Sequence, residues 1–342
     1  MKKIYMILSA VLCLAACDNP LEYKPADKND ELIVNALMDA SETSHKVSLA
    51  ISCTEKVRPV QRAELRCFVN GKRVATTRQL LGNSELGDSG NWGAKTRWLC
   101  FNASFKSGDL VRIEVQADGK FSASCEQVVP AAPGLDSAEA SLEKKEGDEY
   151  PRKYFFEIKL KDSADQVDYY RLCMRNHVVS TYYDKEGNII SKDTSIREIP
   201  MEIDNDPILN EGHIGGSGGF DFELGSPNEF GAFYDSLFDG KTATLRPAID
   251  RAYLASFDYQ MPEHTYSVQI DFYVDVVLLK IPKRYYHYLL AMNLLRGGSD
   301  DLALEDIQIP DNIDGGIGFV GLSSSSVETV FLESNSFVVN LY

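Results

Sequence analysis

Short runs of strand-forming residues, separated by dipeptides that favour tight hairpins, recur along most of this chain. Asn70-Gly71 and Asp118-Gly119 each divide two such runs, and Asp239-Gly240 precedes another. These dipeptides tolerate the positive φ angles of tight hairpin turns. The runs, rich in β-branched and aromatic residues and often alternating, include "ELIVNAL", "KVSLAIS", "ELRCFV", "LVRIEVQA", "YFFEIKL" and "TYSVQIDFYVDVV". Without a regular alternation of strands and long helices, this pattern predicts a mainly β chain of antiparallel sandwiches.

One segment has the periodicity of a helix instead. "PKRYYHYLLAMNLLR" begins with a proline and is followed by Gly297-Gly298, as helices often are. Its apolar residues at helical spacing are Tyr285, Tyr288, Leu289, Met292 and Leu295. We therefore predict one short amphipathic helix near residues 283–296 that packs its apolar stripe on a sheet. A ligand groove lined by these aromatic residues is the less favoured alternative.

Prolines, alanines and a glycine interrupt the strand pattern near residues 128–141, which indicates a domain boundary. We predict a first sandwich over residues 31–133, the size of an immunoglobulin-like or transthyretin-like domain. A larger β domain would follow over residues 134–342. Its glycine-rich stretch 210–231 is typical of a long loop, where we expect contact with a partner.

The N-terminus has the residue order of a bacterial export signal. Lys2 and Lys3 precede an apolar run over residues 4–14, which is too short to span a bilayer. Leu14-Ala15-Ala16-Cys17 is similar to a lipobox, in which small residues fit the signal peptidase and the cysteine thiol takes a diacylglycerol. We predict a signal peptide over 1–16, lipid attachment at Cys17 and a flexible tether over 17–30. The alternatives are an ordinary secretory signal with a chance cysteine, or a buried helix.

The chain carries a net charge of −16 at pH 7, and no basic cluster offsets it. Such a chain repels phosphate backbones, so nucleic acid is not expected as a partner. The same charge disfavours lying flat on anionic lipid. We expect the bilayer to be reached through acylated Cys17.

After Cys17, four cysteines fall within the first 125 residues of the chain: Cys53, Cys67, Cys100 and Cys125. An exported protein can keep disulfides, and four thiols allow three pairings. Each cysteine also lies in a strand-like run, so buried free thiols are an equal alternative. No Cys-x-x-Cys spacing is present, which disfavours zinc and thioredoxin-like chemistry.

Three features of the sequence match part of a catalytic or metal-binding motif, but each lacks the surrounding residues that such a site needs. Ser217 satisfies G-x-S-x-G, but no helical pattern follows it, and a hydrolase nucleophile needs a strand-to-helix turn. Asp311 and Asp314 could ligate calcium, yet no loop of alternating oxygen ligands follows them. The histidines lack metal-ligand spacing. We predict no catalytic residue, cofactor or metal site.

Several segments, taken in order, resemble a known family. They are "ELIVNALMDASETSHKVSLAIS", "GDLVRIEVQADGKFSASCEQVVPAAPGLDS", "YDSLFDGKTATL", "RYYHYLLAMNLL" and "PDNIDGGIGFVGLSSS". The last has Asn312, Gly315, Gly316 and Gly318 at the family's positions, where we expect a structural role for the glycines. The chain thus resembles the Bacteroidota lipoproteins grouped as domain of unknown function 4249. The resemblance implies an outer-membrane lipoprotein, often encoded beside a TonB-dependent receptor, with no catalytic residues to carry over.

We therefore expect a non-catalytic outer-membrane lipoprotein that assists a TonB-dependent transporter in nutrient uptake. It would capture an unknown small-molecule or peptide ligand, or brace the receptor. The main alternative is a fimbrial-type structural or adhesive subunit that donates a strand such as "SFVVNLY". A surface hydrolase using Ser217 is less favoured. Two orientations are compatible with the sequence: the anchored protein could face the cell surface or the periplasm.

Overall fold

The computed structural model describes residues 30–53, 56–82, 95–143, 152–164, 166–203, 206–211, 228–254, 261–297 and 308–339. The predicted signal peptide, nearly all of the predicted tether and most of the glycine-rich stretch 210–231 lie outside these ranges. Strands dominate the described residues, which confirms the predicted mainly β class.

Ten strands form one sheet that runs through both halves of the molecule. Its strands are β1 (Glu31–Asp39), β2 (Ser44–Cys53), β3 (Lys56–Arg58), β6 (Leu80–Leu81), β7 (Arg97–Asn102), β12 (Tyr169–Tyr183), β13 (Ile189–Ile199), β14 (Ala232–Tyr234), β17 (Ser267–Ile281) and β18 (Ile317–Val338). Their spatial order is β13-β12-β17-β18-β1-β2-β7-β6, with β14 paired to β12 and β3 paired to β2. We call it the large sheet.

Two four-stranded sheets pack on the large sheet. The first comprises β4 (Ala63–Val69), β5 (Lys72–Thr77), β8 (Leu110–Ala117) and β9 (Phe121–Val128), in the order β5-β4-β8-β9. The second comprises β10 (Gly134–Glu143), β11 (Lys153–Lys161), β15 (Thr242–Leu245) and β16 (Ala248–Asp250), with β11 paired to the other three. Each small sheet and the part of the large sheet beneath it enclose a separate hydrophobic core.

Alternation of side chains builds both cores. In the first sandwich, Val47, Leu49 and Ile51 of β2 point inward and are fully buried. In the second, Val274 and Val276 of β17 are also fully buried, against aromatic and aliphatic residues of β11. Because successive strand residues point to opposite faces, every second position contributes to a core. Each such side chain contributes about 1.5–3 kcal/mol when fully buried.

Strand β18 belongs to both sandwiches. Its first part pairs parallel with β1, from Ile33 opposite Ile317 to Asp39 opposite Ser323. The remainder pairs antiparallel with β17, up to Ser267 opposite Val338. The first sandwich therefore contains a strand from the far end of the chain in addition to the residues 31–133 inferred from sequence. The β1–β18 pair is also parallel, whereas the sequence pattern indicated antiparallel pairing.

The same side of β18 supplies both cores. Val320 and Leu322 belong to the first core, whereas Val330 and Leu332 pack on the second. These even-numbered positions share one face of the strand. The two small sheets therefore cover the same face of the large sheet.

Two helices are described, α1 (Pro207–Glu211) and α2 (Lys283–Gly297). Helix α2 confirms the predicted helix, and it packs on the face of the large sheet opposite the cores. Tyr285 and Leu289 are buried as expected, but Leu295 is 48% exposed, and Tyr286 and Asn293 are buried instead. The buried stripe thus lies one position round the helix from the predicted one. None of the described helices is long and apolar enough to cross a membrane.

Candidate functional site

Several residues singled out in the sequence lie outside the described part of the chain. These are the predicted lipid-attachment residue Cys17 and the rejected hydrolase serine, Ser217. Lipid attachment at Cys17 therefore stays a prediction. The strand proposed for donation, "SFVVNLY", is described up to residue 339, and its residues 336–338 pair with β17 of the same chain.

The cysteines considered for disulfides are free thiols in the structure. Cys67 and Cys125 pair with opposite sides of Ile113, so their strands are two steps, about 10 Å, apart. A disulfide requires Cα atoms within about 7 Å. Burial raises the pKa of both thiols to about 12. These two positions therefore fit the alternative of buried free thiols.

The other two cysteines lie far apart along the sheet. Cys100 of β7 is opposite Lys46, near the start of β2, whereas Cys53 is the last residue of β2. At about 3.3 Å per residue, that separation is also beyond disulfide reach.

The glycines of the "DNIDGGIGF" segment lie where the chain backbone makes close contacts. Gly315 has a φ of +78°, and a side chain there would collide with the carbonyl oxygen of Ser122 in β9. A Cβ on Gly316 would lie 2.5 Å from the carbonyl oxygen of Leu32 in β1. This segment thus lies between β9 of the small sheet and β1 of the large sheet, so close to both backbones that only glycine fits.

Side-chain amides complete the edge of β18 where β17 does not reach it. Asn312 donates to the carbonyl oxygen of Val320 at 2.7 Å and accepts from the amide of Val320 at 2.9 Å. Gln127 of β9 accepts from the amide of Leu322 at 3.2 Å. Asp311, one of the two candidate calcium ligands, accepts from the amide of Ile313 at 2.7 Å. The segment therefore has the hydrogen bonds of a structural connection.

A cluster of carboxylates lies at one end of the second sandwich. One oxygen from each of Asp162, Asp235 and Asp239 lies within 4.8 Å of the others. Asp162 and Asp235 are buried, and Asp239 is exposed. Asp235 and Asp239 belong to the segment "YDSLFDGKTATL".

Most of the hydrogen bonds in this cluster organise the backbone. Asp162 accepts from the amide of Gly240 at 2.9 Å, and Asp235 accepts from the amide of Asp168 at 2.7 Å. Asp162 also accepts from the hydroxyl of Tyr170, and Lys280 forms an ion pair with Asp168. These contacts join the hairpin at Gly240 to the start of β12.

Burial and the neighbouring carboxylates make the cluster electrostatically costly. Burial raises the pKa of Asp235, and the charges of Asp162 and Asp168 raise it further, against the lowering effect of the Asp168 amide. Oxygen donors this close together suit a hard cation, although Ca²⁺ takes six to eight such ligands. Because Asp162 and Asp235 already accept hydrogen bonds from backbone amides and from Tyr170, the cluster holds the Gly240 hairpin against the start of β12.

A second feature lies on the open face of the large sheet, opposite the second core. Ile196, His177, Tyr273 and Phe331 face one another in register across β13, β12, β17 and β18. We call these four residues the cross-strand row. The ring centroids of His177 and Tyr273 are 5.5 Å apart, and those of Tyr273 and Phe331 are 5.4 Å apart. Phe331 is 55% exposed and Ile196 is 52% exposed.

Polar side chains on both sides of the row are held in place. Asp275 accepts from the hydroxyl of Thr329 at 2.7 Å, and its carboxylate lies 3.1 Å from Nδ1 of His177. Asp271 accepts from the hydroxyl of Ser334 at 2.6 Å and from the amide of Gln269 at 2.9 Å. Side chains fixed in this way form a preorganised face that exposes aromatic rings among hydrogen-bonding groups.

A comparison with protein-family models confirms the family that the sequence segments resemble. The model described as "Domain of unknown function (DUF4249)" matches residues 18–329. The chain belongs to this family. Nearly all the features described above in this DUF4249 protein lie within the matched range, which begins directly after Cys17.

Other comparisons add little about this DUF4249 protein. No curated protein matches the chain. A DUF4785 family protein from Legionella pneumophila has 7% identity and a TM-score of 0.21, covering 73% of this chain and 52% of its own. A biofilm-associated protein BSP domain has 9% identity and a TM-score of 0.16, covering 87% of this chain and 58% of its own. The chain spans little more than half the length of these structures, and scores this low carry no argument.

Sequence reasoning missed both sites of the second sandwich. With 51 acidic residues in the chain, chance carboxylate pairs obscured the cluster. The cross-strand row draws on four strands that are distant in sequence, so no local motif contains it. The signal that could have found it is the run of alternating residues in β17, where Tyr273 sits among outward-facing polar residues.

Proposed function

We propose that this protein is a non-catalytic lipoprotein of the bacterial outer membrane that assists a TonB-dependent transporter in nutrient uptake. It would be anchored through acylated Cys17 and would capture a ligand or brace the receptor. The observation that carries the proposal is the order of Lys2, Lys3, an apolar run and Leu-Ala-Ala-Cys at the N-terminus.

Two further observations support it. The family match begins at residue 18, so the proposed signal and Cys17 lie outside the region matched to the family. The second sandwich also presents an open face with Phe331 and Ile196 exposed, as suits a protein that acts by binding. Acyl chains contribute about 0.8 kcal/mol per buried methylene, so two or more chains on one cysteine hold a protein stably on a membrane.

Membrane fractionation tests the anchor. The Cys17→Ser variant should move from the membrane fraction to the soluble fraction, because serine lacks the thiol that takes the diacylglycerol. Cys13→Ser is the matched control, since it removes a thiol from the signal segment and leaves the lipobox intact. A Cys17→Ser protein that stays with the membrane would contradict the proposal, as would a mass spectrum of the native N-terminus without lipid.

Affinity purification tests the partner. The protein, tagged at its C-terminus and extracted from membranes in mild detergent, should recover a β-barrel receptor. Recovery of the protein alone after chemical crosslinking in intact cells would count against a role beside a transporter.

A further inference from the structure

We infer that the open face around the cross-strand row binds a neutral oligosaccharide. The inference rests on the proposed function, because it names the chemical class of ligand that the anchored protein would capture. It is carried by the geometry, the charge balance and the hydrogen bonds of this one face.

The row sets two aromatic rings and an isoleucine in one line with the imidazole of His177, next to Asp271 and Asp275. Its four residues span three strand spacings of about 4.8 Å, which gives a length of about 14 Å. Phe331 is 55% exposed, whereas its neighbour Val330 packs on the core. Large apolar side chains gathered in one line at the surface indicate a contact site, whereas scattered ones do not.

The charges of this face favour an uncharged ligand. Cations and anions alternate on it: Arg171 lies 2.8 Å from Glu198, and Arg175 lies directly opposite Asp275 on the neighbouring strand. The whole chain carries −16, so a face of interleaved charges stands apart from the average of the molecule. A phosphate or carboxylate ligand would need an excess of cations, and a cationic peptide would need an excess of anions. A face on which cations and anions balance is complementary to a ligand without net charge.

The hydrogen bonds favour a ligand rich in hydroxyl groups. Asp275 and Asp271 already accept from the hydroxyls of Thr329 and Ser334, at 2.7 and 2.6 Å. Ligand hydroxyls are the same kind of donor, and charged acceptors make the stronger hydrogen bonds. Tyr273 and Phe331 offer ring surface on which the C–H face of a sugar can pack. An oligosaccharide combines both properties in one chain.

The narrow width of the row favours an oligosaccharide over a protein partner. A stable protein interface buries about 800 Å² on each side around a dehydrated centre. The row is one side chain wide, and apart from Val179 the residues in register on both sides of it are polar, so it lacks such a centre. A narrow, extended and hydrated ligand fits it better.

Affinity electrophoresis with the full chain tests the inference. The protein, purified from membranes in detergent, would be run through gels containing soluble starch, xylan, galactomannan or laminarin, with polygalacturonate as the anionic comparison. At least one neutral polysaccharide should retard it. Phe331→Ala and Tyr273→Ala should weaken that binding about fivefold to tenfold, the loss expected for one stacked ring.

Phe337→Ala is the matched control, because Phe337 is 44% exposed on the same strand but faces Val268, whose side chain points to the core. It should bind like the unaltered protein, and thermal melting should show that all three variants are folded. Unaltered binding by Phe331→Ala overturns the inference, as does retardation by polygalacturonate alone or by no polysaccharide.

The outcome can be separated from that of the proposed function. If Phe331→Ala loses the polysaccharide but still recovers the receptor from membranes, both proposals stand. If Phe331→Ala loses the receptor and no polysaccharide binds, the face is a protein interface. That result would overturn the inference and leave the anchored accessory role intact.

Discussion

Substitution of Gly318 by alanine should release β18 from the first sandwich. Gly318 has a φ of +122°, which L-residues rarely adopt. A Cβ there would collide with the carbonyl oxygen of Val34 and lie 2.8 Å from Oδ1 of Asn35. Both partners belong to β1, and Asn35 already accepts from the amide of Phe319 at 2.9 Å. The substitution therefore strains the backbone and pushes apart the only parallel strand pair among the described residues.

The expected loss follows from these two effects. A non-glycine residue in a sparsely populated backbone region costs about 1–3 kcal/mol. Overpacking against atoms that cannot move freely costs about another 1–3 kcal/mol. The total of about 2–6 kcal/mol is a large share of the roughly 5–15 kcal/mol that stabilises a folded domain.

Urea unfolding followed by tryptophan fluorescence measures this loss. Trp98 lies in β7, at the edge of the first sandwich, so its fluorescence reports unfolding there. Gly71→Ala is the matched control: Gly71 has a φ of +77° in the β4–β5 hairpin of the first sandwich, and a Cβ there meets no atom within 4 Å. The control should lose only about 1–2 kcal/mol, from backbone strain. Equal losses in the two variants would refute the close contact between β18 and β1.

Three further predictions follow from the described contacts. Asn312→Ala should cost about 2 kcal/mol in urea unfolding, because it leaves the amide of Val320 without its acceptor and removes one of the two donors to the carbonyl oxygen of Val320. A loss below roughly 0.5 kcal/mol, the scale of a surface substitution, would contradict the edge-completing role. Folding raises the pKa of Asp235, so the protonated carboxyl adds stability below the unfolded pKa, and this stability is lost as the pH rises through the folded pKa. The urea midpoint of Asp235→Asn should therefore gain on that of the unaltered protein as the pH rises above about 4, and a constant difference would refute this. Iodoacetamide at pH 8 should spare buried Cys67, Cys125 and Cys173, whose pKa values are raised to about 12. After unfolding, peptide mapping should find all five described cysteines alkylated, and an unmodified pair would indicate a disulfide.

Local patterns predicted the strands and the long helix of this fold better than they predicted which strands pair with each other. The hairpins at Asn70-Gly71 and Asp118-Gly119 were readable because the turn and both strands are adjacent in sequence, and both asparagine and aspartate take a positive φ there. The pairing of β1 with β18 joins residues such as Asn35 and Phe319, and no local periodicity encodes a contact over that sequence distance. The helix was also predicted, because its periodicity is local in the sequence. The side of the helix that is buried was not predicted. Which side of a helix is buried depends on the sheet beneath it, and here the ring of Tyr286 is buried against Tyr169 and Tyr234.

The candidate sites were harder to predict for a related reason. Each member of the cross-strand row is an ordinary strand residue, and only the registers of β12, β13, β17 and β18 bring the four together. A one-residue shift in any strand would turn its member toward the core. The row is therefore a property of the assembled sheet, and its detection requires the pairing.

The serines at positions 323–326 show how one strand can serve two sandwiches. At this point β18 exchanges β1 for β17 as its neighbour, so backbone groups nearby lose their ladder partners. Buried groups left in this way must find hydrogen bonds elsewhere. Ser323 donates to the carbonyl oxygen of Met38, and Ser324 and Ser326 donate to those of Pro130 and Pro133 in the connection between the sandwiches. Apolar side chains could not provide these bonds, so a run that resembles a loop in the sequence is the point in a continuous strand at which the two sandwiches are joined.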